Sequence, residues 1–216
     1  MHFINSIINI FYPNVCGICD KVSKYDICPK CLRKLNNIKQ CKKHIYLKRN
    51  FITHMYIFKY EDMVREKFIK YKFYDQAYRY KSFANFLQKD KKVCGFLEKY
   101  DIIIPVPISK IRNRQRGYNQ SELIIKELSK TFTNIHVLTN ILYKQKDTLP
   151  QSSLDKIKRQ NNLKGAYKVE NSEMIKDKKV LLFDDIYTTG STIDECARVL
   201  KLAGAKEVGA LTLAKD

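Results

Sequence analysis

The segment from Lys179 to Ala214 constrains the fold more tightly than any other part of the chain. Lys179 to Phe183 has the apolar content of a buried strand and runs into two adjacent aspartates, Asp184 and Asp185. A short polar loop from Thr188 to Thr192 follows, and then Ile193, Cys196, Ala197 and Leu200 recur at the spacing of one helical face. Thr192 and Glu195 have the spacing of a capping box, Gly204 falls where a left-handed residue ends a helix, and Glu207 to Ala214 reads as a second strand. Strand, helix and strand in that order make a βαβ unit, which commits the chain to parallel strands and a right-handed crossover.

In open α/β sheets, ligands bind beyond the carboxyl ends of the strands. Asp184 and Asp185 stand at such an end, where they can accept hydrogen bonds from neighbouring sugar hydroxyls or hold a divalent cation. The loop residues Thr188, Thr189, Gly190, Ser191 and Thr192 offer backbone N–H groups, hydroxyls and a helix N-terminus, the donors that suit a phosphate monoester. An acid pair beside a phosphate cradle points to a sugar phosphate. A hydrophobic strand ending in two aspartates also describes a Walker B element or a phosphoacceptor pocket. The chain has no G-x-x-x-x-G-K-[ST] motif, which excludes the nucleotide-triphosphatase version. A purely structural pair is disfavoured because two uncompensated carboxylates at a buried strand end are costly.

Upstream the signals are more varied. Residues 1 to 12 read as a short amphipathic helix stopped by Pro13, and 55 to 60 as a strand. Asp62 is placed to cap a helix over the following residues, and a second helix fits 76 to 89. Residues 101 to 107 form an apolar run closed by prolines, a buried strand entering a loop. Asn119 and Glu122 resemble a capping box for a helix with Ile124, Ile125, Leu128 and Phe132 on its apolar face. Residues 144 to 170 are polar and read mostly as loop. Strands alternating with helices from 100 onwards define an α/β domain with a mainly parallel sheet.

Near the N-terminus Cys16 and Cys19, then Cys28 and Cys31, form two C-x-x-C pairs eight residues apart. Four thiolates so spaced match the tetrahedral demand of structural Zn²⁺, with redox pairs or buried free thiols as the alternatives. A closed Cys₄ site has no open position, so its role is to fold a small module. Cys94 and Cys196 read as structural. The division expected is a helix and zinc module over 1–50 and the α/β domain over 51–216. No apolar stretch reaches the roughly 18 residues of a membrane span, and the N-terminus lacks a basic signal-like region, so a soluble cytoplasmic protein is expected.

The 216 residues carry 41 Lys and Arg against 22 Asp and Glu, so the net charge is 41 − 22 = +19. Lysine-rich codon usage explains part of this; a polyanionic partner is the other reading. Residues 56 to 80 hold nine aromatic and six basic side chains, the combination of stacking faces and cationic track found in single-stranded nucleic-acid binders. Phe58, Phe68 and Phe73 are assigned to the core, and the candidate DNA contacts are Lys70, Lys72, Tyr74, Arg112, Arg114 and Arg116. No groove-reading motif appears, so such binding would tolerate any sequence. The four histidines lie outside every motif.

Residues 180 to 192 resemble the 5-phosphoribosyl-1-diphosphate (PRPP) motif of type I phosphoribosyltransferases, and two further blocks narrow the resemblance to the ComF family. Residues 105 to 122 resemble that family's PVP…RGFNQ block, with Tyr118 for the usual Phe. Residues 149 to 167 resemble its pQ…R..N..gaF block, with Arg159, Asn162, Gly165, Ala166 and Tyr167 in register. The resemblance implies a type I phosphoribosyltransferase-like fold in a protein of natural transformation that handles incoming single-stranded DNA together with other DNA-processing proteins. It implies that Asp184 and Asp185, the candidate catalytic pair, contact the ribose hydroxyls of PRPP or a related ribose phosphate. Thr188, Thr189, Gly190, Ser191 and Thr192 would hold the 5′-phosphate, with Arg112, Arg114 and Arg116 near the pyrophosphate. Mg²⁺ would ride on PRPP rather than in a protein cage. The resemblance leaves open whether the site only binds or transfers phosphoribosyl groups to a base or other small acceptor, since no residue reads as a general acid or base.

Overall fold

Nine-residue strands β7 (Lys179–Tyr187) and β8 (Glu207–Lys215) lie parallel in the middle of a six-stranded sheet. Val180 to Phe183 and Val208 to Ala214 are buried throughout, as a parallel sheet covered on both faces demands. The computed structural model describes residues 14–73, 76–132, 134–146 and 163–216. The helix expected over 1–12 and the block from 149 to 162, with Arg159 and Asn162, lie outside the described residues. Across the sheet the order is β1 (Lys42–Ile45), β2 (Thr53–Lys59), β8, β7, β3 (Ile102–Pro105) and β4 (His136–Val137). Every neighbour is parallel except β1, which pairs antiparallel with β2.

The two faces of the sheet are sorted by strand alternation. Leu181, Phe183 and Ile103 pack with Phe83 and Leu87 of α3 (Arg79–Lys89) and with Ile124, Ile125 and Leu128 of α6 (Gln120–Leu128). α1 (Pro29–Ile38), α2 (Asp62–Phe73) and α4 (Lys91–Leu97) contribute Leu35, Val64 and Val93 to this core. On the other face Val180 and Leu182 pack with Ile193, Cys196, Ala197 and Leu200 of α7 (Ser191–Leu202), the helical face expected from their spacing. Gly204, at φ +98°, follows the end of α7 as its sequence position predicts.

The connections place the site. β3 leads through α5 (Lys110–Arg116) and α6 to β4 at one edge, whereas β7 leads through α7 to β8 on the other side. Neighbouring strands whose connections diverge leave a crevice at their carboxyl ends, here between β3 and β7.

Two expectations need correction. β7 runs on to Tyr187, four residues beyond Phe183, so the aspartates lie inside the strand. Residues 144 to 170 are mainly loop where they are described, but the antiparallel pair of β5 (Leu142–Lys144) and β6 (Tyr167–Val169) reaches into them. Three-residue strands so far apart in sequence carry no local period. Thr192 and Glu195 make no capping box: α7 starts at Ser191 behind Gly190, with no side-chain cap. Glu195 instead accepts from the Gly165 N–H at 2.9 Å and pairs with Arg198.

Candidate functional site

β3 stops against β7 at Pro105, opposite Phe183, and the Val106 N–H makes the last bond between them, to Phe183 O at 2.9 Å. Beyond it β7 continues with β8 on one side only, and Asp184 and Asp185 emerge at the crevice. Ser121 Oγ, on the first turn of α6, donates to Asp184 Oδ1 at 3.4 Å, and the Asp185 N–H donates to the same oxygen at 2.9 Å. Asn119 positions that turn: its amide donates to Val106 O at 3.0 Å and its oxygen accepts from the Ser121 N–H at 3.1 Å.

Two guanidiniums approach from α5. Burial, then repulsion from Arg112, lowers the pKa of half-buried Arg116, while Asp185 favours its charge. Arg112 and Arg116 are one helical turn apart and share a face; Arg114 lies on the opposite, exposed face. Burial raises the Tyr167 phenol well above its ordinary pKa; Asp184 adds to this, while Arg112 and a hydrogen bond to Thr192 oppose it.

The loop after β7 is built for close approach. Gly190 has φ +75°, and a Cβ there would stand 2.3 Å from Tyr187 Oη, so only glycine fits. Thr189 Oγ1 and Ser191 Oγ lie 2.9 Å apart. Asp184, Tyr187, Thr188, Gly190, Ser191 and Thr192 line a recess of about 60 Å³ at the N-terminus of α7, twice the volume share of a liquid water molecule and on the scale of one phosphate group. Four of the five loop residues therefore meet Asp184 at one place; Thr189 is not in that lining, and its hydroxyl reaches Ser191 instead. A larger recess of about 570 Å³ adjoins Asn119, walled by Pro105, Pro107, Tyr143 and Leu142 and edged by Lys110, Lys144, Lys168, Glu122 and Glu170. It depends on the β5–β6 pair, which is why no acceptor pocket is legible in the sequence. Ser121 and Tyr167 lie inside the motif blocks at 105–122 and 149–167, whereas Arg49, which donates to Thr189 O at 3.0 Å, carries no sequence signal.

The four paired cysteines, Cys16, Cys19, Cys28 and Cys31, converge in space. Their sulfurs all lie within 4.8 Å of one another, and Cys19 and Cys28 are 3.9 Å apart, close to the edge of a tetrahedron with bonds of about 2.3 Å. The Cys28 N–H donates to Cys16 Sγ at 3.3 Å. The Cys31 backbone N–H lowers the Cys28 thiol to about 7, and burial raises Cys31. The four residues could hold a metal ion, and among the described residues no other His, Cys, Asp and Glu group of three or more does so. Cys41 is buried, and His44 stacks on Tyr56.

The basic and aromatic stretch is divided. Phe58, Tyr56 and Tyr71 are core, with Tyr71 donating to Gln120 O at 3.0 Å, so Tyr56 and Tyr71 offer no stacking face. Lys70 is paired with Glu66 at 2.9 Å. Tyr74 and the side chains of Phe68, Lys72 and Phe73 lie outside the described residues. α5 differs: Lys110, Arg112 and Arg114 are exposed, and the helix buries no residue.

A sheet with this switch point, an acid pair in the strand and a phosphate-sized loop define a phosphoribosyltransferase-type domain, and residues 118–216 match the phosphoribosyl transferase domain model. Over 150 residues the chain is 34% identical to Competence protein F of Haemophilus influenzae, covering 68% of this chain and 65% of that protein, just under two thirds of its length. It is 27% identical over 205 residues to Competence protein ComFC of Streptococcus pneumoniae, covering 93% and 87% of the two chains. DNA utilization protein YhgH of Escherichia coli K12 is 32% identical over 112 residues, 52% of this chain and 48% of that one. The chain belongs to the ComF family. Among the described residues no helix is long and apolar enough to cross a membrane.

Proposed function

We propose that this chain is a cytoplasmic, PRPP- or ribose-phosphate-binding protein of natural transformation that handles incoming single-stranded DNA, with a structural Zn²⁺ on Cys16, Cys19, Cys28 and Cys31. The observation that carries the proposal is the recess at the N-terminus of α7 that Asp184 shares with Thr188, Gly190, Ser191 and Thr192, with Asp185 next in the strand and Arg116 within reach of its charge. Two relatives named competence proteins support the link to DNA uptake. Asp184 and Asp185 accept the ribose hydroxyls, and the loop N–H groups and hydroxyls hold the 5′-phosphate at the N-terminus of α7. Arg112 and Arg116 take the pyrophosphate, for which a planar fork of donors is suited. Mg²⁺, when bound with PRPP, spreads the charge of the diphosphate. The exposed cations of α5 border the crevice and supply a track for a strand's phosphates.

Transformation frequency in cells carrying Asp184→Asn plus Asp185→Asn, at normal protein level, tests the proposal. A loss of at least tenfold is expected; an unchanged frequency removes the ribose site from the function. The 570 Å³ recess adjoining Asn119 favours a second reading, transfer of the phosphoribosyl group to a base or other small acceptor. There the protein would act by positioning and by stabilising charge as the ribose takes on oxocarbenium character. It predicts PRPP-dependent pyrophosphate release, lost in the same variant; no release with any nucleobase or oligonucleotide excludes it.

A further inference from the structure

The loop between β1 and β2, residues 46–52, lies more than 130 positions from the phosphate recess in sequence and against it in space. Tyr46 and Phe51 pack on the Tyr187 ring, with centroids 6.4 and 6.5 Å away, and Phe51 has no exposed surface. From this packed base two groups reach the loop after β7. Arg49 Nη2 donates to Thr189 O at 3.0 Å, and its Nη1 lies 3.5 Å from Asp194 Oδ2. The Asn50 N–H donates to the other Asp194 oxygen at 2.7 Å.

We infer that Arg49 is a positioning residue for the phosphate cradle, clamping the Thr189–Gly190 peptide and neutralising Asp194. This rests on the ribose-phosphate reading above. The peptide group is planar and trans, so a carbonyl pulled towards Arg49 points the Gly190 N–H the opposite way, away from the hairpin loop. Gly190 lines the recess, and a glycine at φ +75° would otherwise be the residue most free to turn. One hydrogen bond thereby selects which group of that peptide the recess presents to an anion. Asp194 gives the clamp a second purpose. Its carboxylate suits the first turn of α7 but repels a phosphate dianion bound at the same N-terminus. Arg49 and the Asn50 N–H satisfy the carboxylate from the side away from the helix. Because both side chains are only about one fifth exposed, water screens the pair less than it would a surface contact.

The test is calorimetric titration of the full chain with ribose 5-phosphate, comparing wild type with Arg49→Met, Arg49→Gln and Arg49→Lys. Thermal unfolding and metal content are measured in parallel, and the two neutral variants ensure that a folded one carries the test. Arg49→Met and Arg49→Gln should bind about tenfold more weakly or worse, the usual range for losing a hydrogen bond from a charged donor. Arg49→Lys, which keeps the charge and a donor, should stay within about threefold of wild type. The Gly190 amide resonance should move on adding ribose 5-phosphate to wild type and to Arg49→Lys, and much less in the neutral variants. Folded neutral variants that bind as wild type does overturn the clamp alone. A wild type that binds no ribose 5-phosphate overturns the ribose-phosphate reading and the clamp's role with it.

Discussion

His54 shows how one buried side chain sets a pH limit on the fold. Its ring lies on Tyr187 with centroids 4.2 Å apart, Nε2 is 2.9 Å from Thr212 Oγ1, and Nδ1 is buried without a partner among the described residues. Burial first, then the neighbouring Lys215 and His44, push its pKa down to about 3. The unfolded chain takes up that proton near pH 6.5, whereas the folded one stays neutral. Stability from this group is therefore full above about pH 6.5 and declines as pH falls towards 3, by at most about 1.4 kcal/mol per unit. Denaturant titrations at pH 7 and pH 5 should show about 2 kcal/mol of this loss in wild type and much less in His54→Phe. An equal loss in both contradicts the assignment.

At the scale of elements, the cysteine module and the α/β domain are joined by α3. Arg79 has no exposed surface, and it donates to Gly17 O, to both Asp20 oxygens at 2.8 and 2.9 Å and to Gln76 Oε1 at 2.7 Å. Arg79→Met should cost about 2–4 kcal/mol, because the buried Gly17 carbonyl loses its partner. It should also speed metal loss to a chelator; unchanged unfolding and chelation rates would show that the module stands without it. Metal analysis of the purified protein should find about one zinc per chain, since a closed Cys₄ site is structural. Well under one, with Cys16→Ser folding normally, would end the zinc assignment. The βαβ unit at 179–214 was legible because its two strands and helix each carry a full local period. The paired cysteines were legible because metal geometry imposes local spacing. The β5–β6 pair and Arg49 were not, because what fixes them is pairing and packing between residues far apart in sequence; β1 was missed because its four residues, KKHI, are mostly exposed and carry no apolar alternation. Tyr56 and Tyr71 show the converse: an aromatic string looks the same whether it faces water or the core.

Over the whole molecule the charge is uneven in a way that suits two neighbouring tasks. Residues 1–100 carry 21 basic and 8 acidic side chains, 21 − 8 = +13, whereas residues 180–216 carry 4 and 6, 4 − 6 = −2. The cationic excess thus precedes the proposed ribose-phosphate segment in the chain, and exposed α5 adds Lys110, Arg112 and Arg114. Binding of single-stranded oligonucleotides should weaken steeply with salt, and Arg114→Gln, which alters the outer face of α5, should lower the logarithmic salt slope by about 0.7, the share of one phosphate contact. A slope unchanged by that substitution places the track elsewhere. The central claim, that the end of β7 is a ribose-phosphate site, is tested most directly by titrating PRPP into the wild type and into Asp184→Asn plus Asp185→Asn by calorimetry. Saturable binding by the wild type, weakened at least tenfold in the double variant with its thermal unfolding unchanged, is the predicted result. Equal binding by the two proteins, or none by the wild type, would contradict it.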